Sequence, residues 1–279
     1  MKVAVTGATG FVGRHVVAAL LAQGAQVVAT SRAPERIQID SDRLTTVELD
    51  IADAEDAYAR MGEPDVLLHL AWGGLPNYRS DAHLKDELPR QIAFLDACAR
   101  AGLKRLVVTG TCLEYGMQSG CLDEDLPTAP TTSYGQAKDR LRKHLQTMAS
   151  ADGPQLTWAR LFYLYGPGQA PTSLYSQLHA AVASGDVEFP MSPGDQQRDF
   201  LPIATAAARL GALALIAPGA GIVNVCSGVP KAVTTLVREW LQEAGANLRL
   251  NLGTYPYPDY EPLAFWGSTR KLDALLGTT

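Results

Sequence analysis

Short apolar runs alternate, through the first part of the chain, with longer stretches whose apolar positions return every three or four residues. The runs predict strands over 2–6, 26–30, 44–49, 65–71, 105–110 and 155–161. The periodic stretches predict helices over 11–23, 80–101 and 134–151, with a short one near 53–61. Two of the runs, 65–71 and 105–110, are apolar almost without a break, as parallel strands covered on both faces must be. Strand and helix in regular alternation imply an α/β fold with a doubly wound parallel sheet. In the 80–101 segment Leu84, Leu88, Ile92 and Leu95 form a stripe that suits either the core or a seam between two copies.

After about residue 165 the pattern changes. Gly166-Pro167-Gly168, then Pro171, Pro190, Pro193, Pro202, Pro218 and Pro230, cut the chain into shorter elements. The expected division is a main domain over 1–165, with part of its sheet returning near 200–226. Residues 166–279 would mainly form a smaller lobe over the strand ends, where such sheets bind ligands.

Composition narrows the field little. The 279 residues are 47% hydrophobic and 19% charged, an ordinary soluble globular balance. A net charge of −5 argues against nucleic acid or an anionic membrane as partner, so any anionic ligand must be held locally. Cys98, Cys112, Cys121 and Cys226 lack paired metal spacing, and no metal is expected. Met1 runs straight into the first strand, and Ala206–Val225 is broken by Arg209, Pro218 and glycines. A cytoplasmic protein with neither signal peptide nor membrane span is the expectation.

The chemistry begins at Gly7, Gly10 and Gly13, three residues apart on the turn from first strand to first helix. Missing Cβ atoms there permit a tight turn, approach of a pyrophosphate to the main chain, and close helix–strand packing. That is a Rossmann-type dinucleotide signal. The second strand runs into Ser31-Arg32 where an NAD-selecting fold usually ends in a carboxylate. Arg32 can instead pair with a 2′-phosphate, so NADP(H) is favoured and NAD(H) remains possible.

Tyr134 and Lys138 stand four residues apart at the head of a predicted helix, hence on one face. An ammonium beside a phenol favours phenolate, which lets the tyrosine exchange a proton with a carbinol oxygen while a nicotinamide exchanges hydride with its carbon. Thr111, at the end of the fifth strand, could bond the same oxygen. His69 lies mid-strand and reads as a packed core residue.

The three glycines, Thr111 ahead of Tyr115-Gly116, Tyr134-x-x-x-Lys138 and Arg198-Asp199-Phe200 together resemble the extended short-chain dehydrogenase/reductases, a family of nucleotide-sugar epimerases, dehydratases and reductases. The resemblance covers nearly the whole chain. It implies catalysis by Thr111, Tyr134 and Lys138. Cofactor contacts would come from Gly7, Thr9, Gly10, Phe11, Val12, Gly13, Ser31, Arg32, Asp50, Ile51, Leu70, Ala71, Trp72, Tyr134 and Lys138. Substrate contacts would come from Trp72, Thr111, Cys112, Tyr163 and Arg198, the last gripping a nucleotide diphosphate, and the family favours a homodimer.

The departures are informative. Cys112 and Leu113 replace the Asp-Glu of the dehydratases, so dehydration is not expected. Tyr163 and Glu87 stand where many relatives carry asparagine. His69–Tyr78 and Gly110–Gly116 are similar to reductases of dTDP-linked 4-keto-6-deoxyhexoses. The expectation is therefore reduction of a nucleotide-activated 4-keto-6-deoxy sugar. An epimerase with resident NAD is the alternative. A non-catalytic NADP sensor is disfavoured, because it would not need the whole triad.

Overall fold

A computed structural model describes residues 1–150, 153–216 and 218–277. The expected helix end at 151 and the last two residues of the expected lobe lie outside them. Seven parallel strands form the central sheet: β1 (Lys2–Thr6), β2 (Gln26–Ser31), β3 (Leu44–Glu48), β4 (Val66–His69), β5 (Arg105–Thr111), β6 (Gln155–Leu161) and β7 (Gly221–Val225). Their spatial order is β7-β6-β5-β4-β1-β2-β3. The chain therefore reverses its winding at β1, and the β1 and β4 connections leave in opposite directions. A crevice opens at their carboxyl ends.

Side chains alternate between the two faces of each strand. Val3 and Val5 of β1, with Val66 and Leu68 of β4, join one core; Ala4 and Leu67, between them, join the other. The first core is capped by helices α1 (Phe11–Ala22) and α6 (Ile203–Ile216), the second by α3 (Leu88–Arg100) and α4 (Ser133–Ser150). The short α2 (Ala57–Arg60) adds Ala57 to the second core. Leu88 and Leu95 are buried in that core and Leu84 and Ile92 pack against it, so the stripe serves this chain's own sheet.

The expected 80–101 helix is not uniform. Residues His83–Glu87 form a wider π-type turn before α3. Pro89, in the first turn of α3, has no N–H to give the Lys85 carbonyl, and the helix widens where that bond is missing.

The smaller lobe has its own core. Leu178 of α5 (Leu174–Ser184) and Leu236, Val237 and Trp240 of α7 (Val233–Glu243) pack with Phe189, Met191 and Leu248. The lobe is interleaved with the main domain, because α6, β7 and Leu272 of α8 (Arg270–Leu276) return to the first core. Among the described residues no helix is long and apolar enough to cross a membrane, and no cluster of His, Cys, Asp and Glu is arranged to hold a metal. Cys98, Cys112 and Cys226 are buried free thiols, and Cys121 is exposed.

Candidate active site

Two cavities meet at the crevice. One, of about 290 Å³, is lined by Gly7, Thr9, Gly10, Ser31, Arg32, Asp50, Ile51, Leu70, Ala71 and Trp72 of the expected cofactor set. The other, of about 310 Å³, is lined by Phe11, Val12, Thr111, Cys112, Tyr134, Lys138 and Tyr163, and shares Leu70 and Trp72 with the first. Gly13 lies beneath. A Cβ there would come within 2.1 Å of the Gly7 carbonyl oxygen, so any larger residue would push α1 off the turn. Gly10 caps α1 with no side-chain bond, which leaves the first amides of the helix for an anionic ligand. Thr9 and Ser31 join their hydroxyls at 2.8 Å beside exposed Arg32. The cleft thus has the cradle and donors that a dinucleotide needs.

A buried chain of hydrogen bonds fixes the segment after β4. Thr6 Oγ1 accepts from the Leu70 and Ala71 amides (3.2 and 3.3 Å) and donates to His69 Nδ1 at 2.8 Å. The opposite His69 nitrogen donates to Gln91 Oε1. Gln91 Nε2 in turn donates to the Ala71 carbonyl and to Glu87 Oε1, which also receives the Gly73 amide. Burial holds the His69 pKa down at about 4, so the ring is neutral and its two roles are fixed. His69 is packed, as its mid-strand position suggested, and it also clamps the loop that both cavities share. Glu87 and Arg90 line the cleft as well; the departure at Glu87 was the one sequence signal for either.

Thr111 is anchored from below. Its amide donates to Glu114 Oε1 at 2.9 Å, and its hydroxyl accepts the Leu113 amide at 3.3 Å, leaving the hydroxyl proton for another acceptor. Glu114 is wholly buried; it takes Trp158 Nε1 at 3.0 Å and Arg160 Nε at 2.8 Å, with Arg142 Nε at 3.7 Å. Lys138 Nζ donates to the Thr109 carbonyl at 2.8 Å and stands 3.9 Å over the Trp72 ring.

The expected electrostatics need correction here. Lys138 Nζ is 6.0 Å from the Tyr134 ring centre, and the Tyr134 pKa is raised rather than lowered. Burial is the main cause, helped by Tyr78, Glu114 and Cys112. Burial also pulls Lys138 down to about 7, against the opposing pull of Glu114 and Glu87. Desolvation is the leading cause of both shifts. The Cys112 thiol is likewise pushed up by burial and stays protonated.

Arg198 also differs from expectation. It lies in the strand Gln197–Pro202, is 2% exposed, and lines neither cavity. Its Nη2 binds Glu261 Oε2 at 3.1 Å, and its Nη1 donates to the Gln197 and Leu263 carbonyls, both at 3.0 Å. The residue at the cavity wall is Glu261. Tyr163 lines the same wall beside Glu261 and packs on Phe200 and Phe265. Leu75, Tyr78 and Gln169 add to the lining from loops whose sequences carry no periodic signal, and Leu164 adds to it from the short strand Tyr163–Tyr165.

Comparison with known proteins agrees with this architecture. Residues 3–226 match the family model described as the NAD dependent epimerase/dehydratase family. The dTDP-6-deoxy-L-talose 4-dehydrogenase (NAD(+)) of Aggregatibacter actinomycetemcomitans is 30% identical over 96% of this chain and 100% of its own length. The NAD(P)(+) enzyme of the same description from Kitasatospora kifunensis is also 30% identical, over 92% of this chain and 83% of its own. Among solved structures, MoeE5 in complex with UDP-glucuronic acid and NAD superposes with a TM-score of 0.84 at 26% identity, covering all of this chain and 93% of that one. With sheet order, glycine turn and near end-to-end relatives in accord, the chain belongs to the NAD-dependent epimerase/dehydratase family, the extended short-chain dehydrogenase/reductases.

Proposed function

We propose that the protein is a nicotinamide-dependent enzyme of nucleotide-sugar metabolism that reduces the 4-keto group of a dTDP-linked 6-deoxyhexose, with NADP(H) preferred. One observation carries the reading: Thr111, Tyr134 and Lys138 converge on a single cavity that opens, past Leu70 and Trp72, into the dinucleotide cleft. The two relatives named as talose 4-dehydrogenases support the sugar, since reduction of the 4-ketone is that oxidation run backwards.

The bound nicotinamide would supply hydride to C4 of the sugar. Tyr134 gives its phenolic proton to O4, and a raised pKa keeps that proton in place until the oxygen becomes basic. Thr111, with its hydroxyl proton free, orients the carbonyl. Lys138 holds positive charge at the back of the site. The α1 amides take the pyrophosphate. Arg32, with Arg90 across the cleft, receives the 2′-phosphate that a carboxylate would repel. Cys112 and Tyr163 wall the sugar, and Arg198 meets the diphosphate by exchanging Glu261 for it. Two copies pair through the outer faces of α3 and α4.

The test is incubation with NADPH or NADH and a panel of 4-keto-6-deoxy sugar nucleotides. One NADP⁺ formed per 4-hydroxy product is expected, with NADPH the better donor. Interconversion of two sugars without loss of NADPH would make it an epimerase. Equal efficiency with both cofactors would remove the role given to Arg32.

A further inference from the structure

Trp72 belongs to neither the glycine turn nor the Tyr-x-x-x-Lys pair, yet it stands between the two cavities. Its orientation is set from both ends. The indole N–H donates to His83 Nδ1 at 3.2 Å, and His83 Nε2 donates to the Asn77 carbonyl at 2.9 Å. A histidine with one nitrogen accepting and the other donating is a neutral, defined tautomer. His83 is 1% exposed, its ring is tilted 30° to the indole at 6.3 Å, and it packs 5.3 Å from Tyr134. The chain can fold back this closely because Gly74 sits at φ +80°, and a Cβ there would crowd the His83 ring at 3.1 Å. The Lys138 ammonium stands over the indole, 3.9 Å from the ring centre.

We propose that Trp72 is the π counter-surface that keeps Lys138 charged in its buried position, and that His83 is the positioning residue that aims Trp72. The proposal deepens the reductase reading, since it gives Lys138's charge a source other than the solvent. An ammonium loses most of its hydration when buried, and the negative face of an indole returns part of that stabilisation. Among the groups facing Lys138, Glu87 from the turn before α3 and Glu114 from the 112–115 turn also favour the charge. His69 from β4 is neutral and Tyr134 on the same helix is a phenol, so neither offers a counter-charge. Both carboxylates are already bonded to other donors, Glu87 to Gln91 and Gly73, Glu114 to Arg160 and Trp158.

The sign of the effect distinguishes this role from mere burial. If the indole only excluded water, removing it would raise the Lys138 pKa. If it stabilises the cation, weakening its face lowers that pKa. The experiment is an NMR titration of ¹³C,¹⁵N-lysine-labelled protein, with the Lys138 signal identified by its loss in Lys138→Arg. Trp72→Leu should lower the midpoint by about 0.5–1.5 pH units. Incorporating mono- to tetrafluorinated tryptophan, which drains the ring face while nearly keeping its shape, should lower it stepwise in the folded protein. His83→Phe should lower it partly, His83→Asn should restore it by accepting the indole N–H, and His83→Phe should add nothing to Trp72→Leu. An unmoved or raised midpoint along the fluorinated series overturns the proposal. The titration needs no substrate, so a failed sugar panel would refute the reductase reading and leave this measurement intact.

Discussion

Tyr134 and Lys138 are both drawn toward their neutral forms by burial, and that shapes what each can do. A phenol with a raised pKa is a weak acid that keeps its proton until a strongly basic oxygen draws it off. Tyr134→Phe should therefore lose about 10²–10⁴-fold in turnover while cofactor binding, followed by NADPH fluorescence, survives. Lys138 has its pKa lowered to about 7. If its charge is required, kcat/KM falls as pH rises through that value. Lys138→Arg cannot lose its charge in this range, so whatever activity it retains should show no such alkaline limb. A limb unchanged in that variant would assign the titration elsewhere. The pair was readable in the sequence because four-residue spacing on a helix is geometry. Its electrostatics were not, because desolvation depends on what the rest of the chain piles over the site.

The strand at 197–202 shows how one element can be legible in outline and misleading in detail. Arg198 was marked by its motif, but its partner, Glu261, comes from a C-terminal loop with no periodicity to place it. A carboxylate that occupies the guanidinium competes with an incoming diphosphate for the same donors. Glu261→Gln should then lower KM for the nucleotide sugar, whereas Arg198→Ala should raise it about 10- to 150-fold with kcat little changed. A raised KM in both variants would mean that Glu261 holds the fork in place for the substrate. Elements with strong periodicity, from β1 to β6 and α1 to α4, were foreseeable to within a few residues. The short β7, preceded by Gly219 and opening on Gly221, could be placed only as a return of the sheet near 200–226. The π-turn at 83–87 needed the effect of Pro89 to be felt in three dimensions.

Across the whole molecule, the same motif joins lobe to sheet. Asp199 is fully buried; its carboxylate accepts the Ser227 amide at 2.6 Å, Gly228 at 2.8 Å and Gly267 at 3.2 Å. Asp199→Asn keeps the shape but lacks the charge and must turn an NH₂ toward an amide. It should cost about 1.5–3 kcal/mol, read as a lower midpoint in urea. A midpoint unchanged within error would show that the lobe is held by apolar packing alone. The clamp built on His69 has a consequence of another kind, for how the protein meets acid. Its native pKa of about 4 lies below the ordinary 6.5. Between those values the unfolded chain binds a proton that the folded chain refuses, so this group makes stability fall with pH while the Thr6–His69–Gln91 bonds stay whole. Acidification should therefore leave the Leu70 and Ala71 amides exchanging with solvent only as fast as the entire protein opens. In this enzyme acid should not loosen the dinucleotide crevice by degrees; it should bring down the fold with the crevice still shut.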